Sequence, residues 1–231
     1  VIDLWAREFA KALLKKFQTL TFRRNDFSAL LTIDTDQPFA YLGRNILSSI
    51  GGLFRDLTTG DGHPGDRYRI VVKGAKDPYE IFDYIIECIE NHKADVRFFS
   101  PVGEHSKFDL NPSWKNTEYR NLIQRISVKY KTGLHPSYNA SGDSQLIIME
   151  ASRLKAITGK EITISRFHSI RFFMPNSYTG IINAGIAEDY SMGYPEEPGF
   201  RASIARPFCF YNVIKDQHTG LKIIPFQVMD S

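Results

Sequence analysis

The chain has 231 residues, enough for one large domain and within the usual size of a single α/β barrel. Hydrophobic residues at 42% and aromatics at 13% supply a sizeable core, and charged residues at 24% argue against intrinsic disorder. The net charge of +3 is small, Lys and Arg are scattered, and zinc-finger spacing and coiled-coil heptads are absent, which speaks against nucleic acid as a partner.

The chain opens on Trp5, Phe9, Leu13 and Phe17 at four-residue spacing with Lys11, Lys15 and Lys16 between them, a pattern that predicts an amphipathic helix. Residues 1–25 are therefore expected to form a helical segment packed on the rest. Because the pattern starts at once, they also read as the end of a longer N-terminal region. Residues 26–231 follow as the main domain. Its first strand, at about 28–35, runs through Leu30-Leu31-Thr32-Ile33 into Asp34-Thr35-Asp36 and stops before Pro38. Ile46, Ile50, Leu53 and Phe54 predict a helix to about Leu57. Thr58 to Lys76 reads as an exposed Gly-rich insertion with a short strand at Tyr68–Val72. Asp77-Pro78-Tyr79-Glu80 has the form of a helix start, with Asp77 as cap, and Phe82, Ile85, Ile86 and Ile89 mark the buried face.

Val96 to Phe99 predicts a strand, and Tyr119, Leu122, Ile123 and Ile126 a helix. Lys131 to His135 predicts a strand, and Ile147, Ala151 and Leu154 a helix ending at Gly159. Ile162 to Ser165 is the next strand, and Ser177 stands as the cap of a helix that runs to Gly185. Ile186–Tyr190, Pro207–Val213 and Lys222–Met229 supply the remaining strands, with a hairpin expected at 215–220. Alternating strands and helices predict βα units, and about seven parallel strands in one domain favour a closed or nearly closed (β/α) barrel, distorted rather than regular. No Gly-rich phosphate loop follows the first strand, which argues against dinucleotide- or nucleotide-binding folds. Cys88 and Cys209 sit in apolar contexts and read as free buried thiols, compatible with a reducing compartment and leaning toward a cytoplasmic setting. No apolar run approaches the ~20 residues of a membrane span.

Barrel active sites lie at the C-terminal strand ends, and ionisable residues gather there. Asp34 and Asp36 share one face of a strand, because side chains alternate. Two like charges there are explained by a bound cation or a proton-transfer task, or else by a turn whose acids cap the next element. Later ends carry Glu104 and His105, then His135-Pro136-Ser137-Tyr138-Asn139, Ser165-Arg166-Phe167-His168, Glu188-Asp189-Tyr190-Ser191, and Asp230. Asp and His are ligands suited to Zn²⁺ or a similar divalent ion, and a second carboxylate oriented by an Arg can serve as base. Each has a plainer role open to it. His135 can be a turn histidine, Arg166 can pair with any buried acid, and His168 can pack against Phe172. Arg201 either binds an anionic or hydroxylated ligand or braces its loop. Tyr138, Tyr190, Tyr194 and Phe200 suit stacking on sugar rings or simple packing. His63, His105 and His218 read as uninvolved.

Thr32-Ile33-Asp34-Thr35-Asp36, Gly133-Leu134-His135-Pro136-Ser137-Tyr138 and Ser165-Arg166-Phe167-His168 together resemble motifs of the polysaccharide deacetylase superfamily, the NodB-homology carbohydrate esterases. With Asp189-Tyr190-Ser191-Met192-Gly193-Tyr194 and Gly199-Phe200-Arg201-Ala202 they look like a divergent bacterial subgroup, from about Asp26 to the C-terminus. The resemblance implies a metal-dependent hydrolase of amide bonds that removes acetyl groups from N-acetylated sugars of a bacterial polysaccharide or oligosaccharide. It makes Asp34 the base, Asp36 and His135 ligands of a divalent ion, most naturally zinc, and Arg166 the brace of the base. Two positions depart from it. The family's second metal histidine falls at Asn139, and its late Leu-x-His falls at Gln227-Val228-Met229-Asp230. His168, or Asn139 through its carbonyl oxygen, is therefore expected to complete the ligand set, and Asp189 or His168 to serve as acid, with Tyr138, Asn139, Tyr190 and Arg201 on the substrate. The alternative is a catalytically impaired barrel that binds carbohydrate or a protein partner.

Overall fold

Five strands joined by crossovers lay the frame: β1 (Leu30–Asp34), β2 (Asp95–Ser100), β3 (Lys131–Leu134), β4 (Ile164–Ser165) and β5 (Glu188–Asp189) pair in sequence order, all parallel. The computed structural model describes residues 1–22, 27–42, 69–70, 72–79 and 81–230. Two more strands, β6 (Phe208–Asn212) and β7 (Gln217–Ile223), complete a seven-stranded sheet of order β1-β2-β3-β4-β5-β7-β6. This is the expected α/β architecture, a distorted (β/α) barrel, with two corrections. β6 runs antiparallel to β7, because the turn at residues 213–216 that joins them is too short for a crossover. The described strands also form an open sheet, with β1 and β6 at its edges, rather than a closed ring.

The hairpin sits earlier than the sequence suggests. Asn212 accepts the amides of Ile214 and Lys215 through its side chain, and Asp216 takes a left-handed conformation, so residues 217–220 already belong to β7. His218 accordingly lies on a strand, against the ring of Tyr211.

Among the described residues, helices α1 (Ile2–Lys16), α2 (Phe82–His92), α3 (Thr117–Lys129), α4 (Ser144–Thr158) and α5 (Asn176–Asn183) surround the sheet. Strand alternation decides what each face does. Val96 and Phe98 point outward and pack with Phe82 and Ile89 of α2 and Leu122 and Ile126 of α3. A larger cluster joins Leu134, Phe167 and Ile223 to Ile147 and Leu154 of α4 and Tyr178 and Ile181 of α5. The opposite parity faces the barrel interior, where Phe99, Ile164 and Tyr190 form a third, small cluster.

The helix ends show which capping signals were real. Asn116 accepts the amide of Tyr119 at the start of α3, Asp143 caps α4, and Gly159 closes α4 in the left-handed conformation that glycine allows. Asp77 caps nothing. It is buried, and its oxygens take the amides of Ala40 and Tyr41 at 2.8 Å, Leu42 at 3.1 Å and Tyr79 at 2.9 Å, while α2 begins only at Phe82. Ser177 is likewise no cap: its hydroxyl donates to the Ser141 carbonyl and accepts the Phe173 amide, inside a helix that starts at Asn176. Arg69 and Ile70 are helical where a strand was expected, and the helix expected at 46–57, with His63 and most of the Gly-rich insertion, lies outside the described residues.

α1 buries none of its residues. Trp5 at 69% and Phe9 at 66% exposure turn the apolar stripe outward. The helix meets the rest of the chain at the 203–205 loop, through the Ile2 amide on the Ser203 carbonyl and the Asp3 carboxylate on the Ala205 amide. Both cysteines are free as expected, but Cys88 is only half-buried and Cys209 is exposed. No described helix is long and apolar enough to cross a membrane.

Candidate metal centre

The first strand delivers its acids as alternation requires. Thr35 turns to the helix side, donating its amide to the Phe99 carbonyl and its hydroxyl to Ser100 at 3.0 Å. Asp34 and Asp36 take the interior side at the C-terminal end of the sheet. His135 follows β3 directly, with its amide on the Ser100 carbonyl, and is 1% exposed. Arg166 follows β4, with its amide on the Leu134 carbonyl. His168 comes two residues later, its amide on the Pro136 carbonyl.

Hydrogen bonding fixes which histidine nitrogen is free. The Nδ1 of His135 bonds the backbone carbonyl of Arg166, and a carbonyl can only accept. In the neutral ring Nδ1 therefore carries the hydrogen and Nε2 carries a lone pair. That Nε2 lies 3.3 Å from Oδ1 of Asp36, and both atoms are buried without a hydrogen-bond partner. The Nδ1 of His168 donates to Oδ1 of Asp109 at 2.8 Å, which aims its Nε2 at Oδ2 of Asp36, 3.8 Å away. The three donor atoms of Asp36, His135 and His168 lie within 4.8 Å of one another. Buried acceptors that face each other repel unless a proton or a cation stands between them. Two ligands of a tetrahedral zinc ion, each ~2.0–2.1 Å from it, are themselves about 3.3 Å apart. The donor set and its orphaned atoms therefore fit a divalent ion.

Asp34 sits beside this trio and is held differently. Its Oδ2 lies 3.6 Å from Nε of Arg166 and 3.9 Å from Nε2 of His135, and its Oδ1 is buried without a partner. Arg166 is 4% exposed, donates to the Thr32 hydroxyl, and lies over the Phe226 ring at 4.8 Å. Its Nη2 points at the sulfur of Met229, 3.8 Å away, which puts a thioether where the resemblance looks for a histidine.

The structure thus gathers five sequence-predicted residues: Asp34, Asp36, His135, Arg166 and His168. It sets the others apart. Asp189 takes the helix-side parity of β5 and is fully buried, accepting from Ser165 Oγ, Ser191 Oγ and the Ser191 amide, each at 3.0 Å. Ser191 in turn accepts the Phe167 amide, so this cluster pins the peptide between Arg166 and His168. Tyr190 packs in the interior on Phe99 and donates its hydroxyl to Glu188 at 2.9 Å. Tyr138 gives its amide to Asp109, and its ring is stacked between Phe108 at 4.1 Å and the Arg171 guanidinium at 4.3 Å. Asn139 is exposed at the start of a short 3-10 turn (Ala140–Gly142), and Arg201 is exposed over the Phe172 ring.

One member of the site escaped the sequence reading. Asp109 lies in the loop after β2, beyond Glu104 and His105, the residues of that loop that carried the expectation. Glu104 instead pairs with Arg153 at 2.7 Å, and His105 is exposed. Burial alone would raise the Asp109 carboxyl, but hydrogen bonds from Ser106, the Tyr138 amide and His168 outweigh it and hold the group below the usual range. The only sequence signal was an acid in a strand-end loop, two residues before Asn111-Pro112.

Asp189 has a measurable consequence. Burial pushes its carboxyl up to about 6, against the pull of the Ser191 and Ser165 bonds and of Arg166. Its unfolded value is about 3.9, so the folded state holds the proton more tightly, and this contribution to stability fades as pH rises through the window between the two values. Asp189→Asn removes the dependence. In urea titrations the stability of the variant relative to the parent should climb by about 2–3 kcal/mol between pH 4 and pH 7. A difference that stays flat across that range would contradict the assignment.

No protein-family model matches the chain, and no curated protein sequence matches it. Solved structures do. A Mycobacterium smegmatis protein provisionally assigned as a polysaccharide deacetylase aligns over 90% of this chain at 12% identity with a TM-score of 0.52, and the chain spans 62% of that protein's length. IcaB from Ammonifex degensii, 12% identical over 74% of this chain and 85% of its own, and a de-N-acetylase from Aggregatibacter actinomycetemcomitans, 10% identical over 70% and 85%, follow with TM-scores of 0.37 and 0.35. Those two scores are too low to carry an argument. The first match carries the fold: the chain shares the barrel of the M. smegmatis protein.

Proposed function

We propose that this chain is a metal-dependent hydrolase that removes an acetyl group from N-acetylated sugars of a bacterial polysaccharide or oligosaccharide. The observation that carries the reading is the pair of buried acceptors, Asp36 Oδ1 and His135 Nε2, that face each other at 3.3 Å with no donor between them. Asp36, His135 and His168 hold the ion, and zinc suits two imidazoles and a carboxylate. When bound, such an ion supplies Lewis acidity, polarising a carbonyl and acidifying water.

The protein's own groups do the rest. Asp34 has a buried oxygen free to take the proton of an attacking water as the new carbon–oxygen bond forms. Arg166, 3.6 Å away, aims that carboxylate and is itself steadied by Thr32 and Phe226. As the carbon–nitrogen bond breaks, the departing amine needs a proton, and Asp34 holds the one it has just accepted. Asp189, enclosed on the helix side, is not required for this step.

Purified protein should bind about one equivalent of zinc and deacetylate chito-oligosaccharides. Chelation should abolish the activity, zinc should restore it, and His135→Ala should lose both properties. Activity that survives chelation sinks the scheme. The second reading, a barrel that binds saccharide or a protein without turnover, draws on Met229 in place of the late histidine. Saccharide binding without zinc, retained in His135→Ala, would favour it.

A further inference from the structure

Asp109 reaches the site from the loop after β2, and that loop is wired to present one carboxylate. The side chain is 2% exposed. Its Oδ2 accepts the Ser106 hydroxyl at 2.7 Å, and Ser106 Oγ accepts the amides of Phe108 and Asp109 at 3.2 and 3.0 Å. The Ser106 amide closes the turn on the Asp109 carbonyl, and Asn111 ties the loop base by donating to the Gly103 and Pro112 carbonyls. What remains is Oδ1, and it is shared. It accepts the Tyr138 amide at 2.9 Å and the His168 Nδ1 hydrogen at 2.8 Å. A single oxygen thus joins the loop after β3, which carries His135, to the loop after β4, which carries His168.

We propose that Asp109 is the positioning residue of His168, holding the hydrogen on Nδ1 so that the Nε2 lone pair faces Asp36 and His168 serves as third ligand. The proposal rests on the metal-centre reading above and adds the residue that makes the third ligand usable. A neutral imidazole has one hydrogen, and the partner of one nitrogen decides the state of the other. Without a carboxylate at Nδ1, His168 is free to place its hydrogen on Nε2, which would turn a donor of electrons into a donor of a hydrogen bond toward Asp36. A carboxylate behind a ligating imidazole also raises its basicity, and losing such a partner typically costs 10–100-fold in metal affinity. Asn139 is exposed on its turn, so the loop after β4 supplies the ligand that the loop after β3 lacks.

The test combines a tautomer measurement with a thermodynamic cycle. In metal-free protein at pH 8, the ring nitrogen shifts of His168 in ¹⁵N NMR should report hydrogen on Nδ1, and hydrogen on Nε2 would overturn the proposal without any variant. Zinc affinity by calorimetry should fall 10–100-fold in Asp109→Ala. It should stay within a few-fold of the parent in Asp109→Asn, which keeps an acceptor oxygen. In the His168→Ala background, Asp109→Ala should cost nothing further. An equal loss in both backgrounds would make Asp109 a support of the fold rather than of His168. A parent protein that binds no zinc defeats the metal reading instead, while the tautomer of His168 still decides the role of Asp109.

Discussion

Asp34→Asn should lower deacetylation of an acetylated oligosaccharide by roughly 10²–10⁴-fold while the protein still binds zinc. The asparagine is nearly the same shape and keeps an oxygen toward Arg166, so folding and the neighbouring trio should be undisturbed. What it cannot do is accept a proton at the oxygen that is buried and unpartnered in the parent. The split between intact metal affinity and lost kcat separates a base from a ligand. The same substitution at Asp36 should show the opposite pattern, with zinc affinity falling first. If Asp34→Asn turns over as fast as the parent, the proton goes elsewhere and the scheme fails.

Gly133→Ala should destabilise the fold by about 3 kcal/mol or more and remove zinc binding with it. Gly133 occupies the interior parity of β3, and a Cβ there would lie 2.5 Å from Cγ1 of Ile164, 2.6 Å from the Ile164 carbonyl oxygen and 2.8 Å from the Phe99 ring. A flexible side chain can yield, but the carbonyl belongs to the backbone of β4. β3 and β4 meet at one register pair, Leu134 with Ser165, continued by the Arg166 amide on the Leu134 carbonyl. Prying them apart also breaks the bond from His135 Nδ1 to the Arg166 carbonyl, which aims Nε2 at Asp36. Urea midpoints for Gly133→Ala and for Gly220→Ala, where a new Cβ would meet nothing within 4 Å, give the comparison. Equal midpoints would mean that the close approach is not real.

Local chemistry carried most of what the sequence made legible. Alternation along one strand put Asp34 and Asp36 on the same side, and Thr35 duly faces the helices. His135 and Arg166 were legible because each directly follows a short strand. Two of the failures share a cause, which is that a side chain's partner lay far away in sequence. Asp77 looks like a helix cap because caps are local, yet its carboxylate serves amides 35 to 37 residues back. Asp109 shows locally only its bond with Ser106, since the partners that place it in the site are 29 and 59 residues ahead. Asp189 was placed at the barrel mouth by its position at a strand end, and one step of parity sends it to the helix side instead. The hairpin turn was misplaced because Gly220 marks turns more loudly than the Asn212 side chain that builds this one.

Asp77 has a further consequence, for how this chain can vary. Its single carboxylate binds three successive amides just past the acids of β1 and one of its own loop, tying residues 40–42 to residues 77–79 at one point. Loop-closure entropy grows only logarithmically, so doubling the length of such a stretch costs about 0.6 kcal/mol. The carboxylate thus works as a firewall. Insertions or deletions in the sequence between residues 42 and 77 can then be absorbed while Asp34 and Asp36 on its near side keep their places.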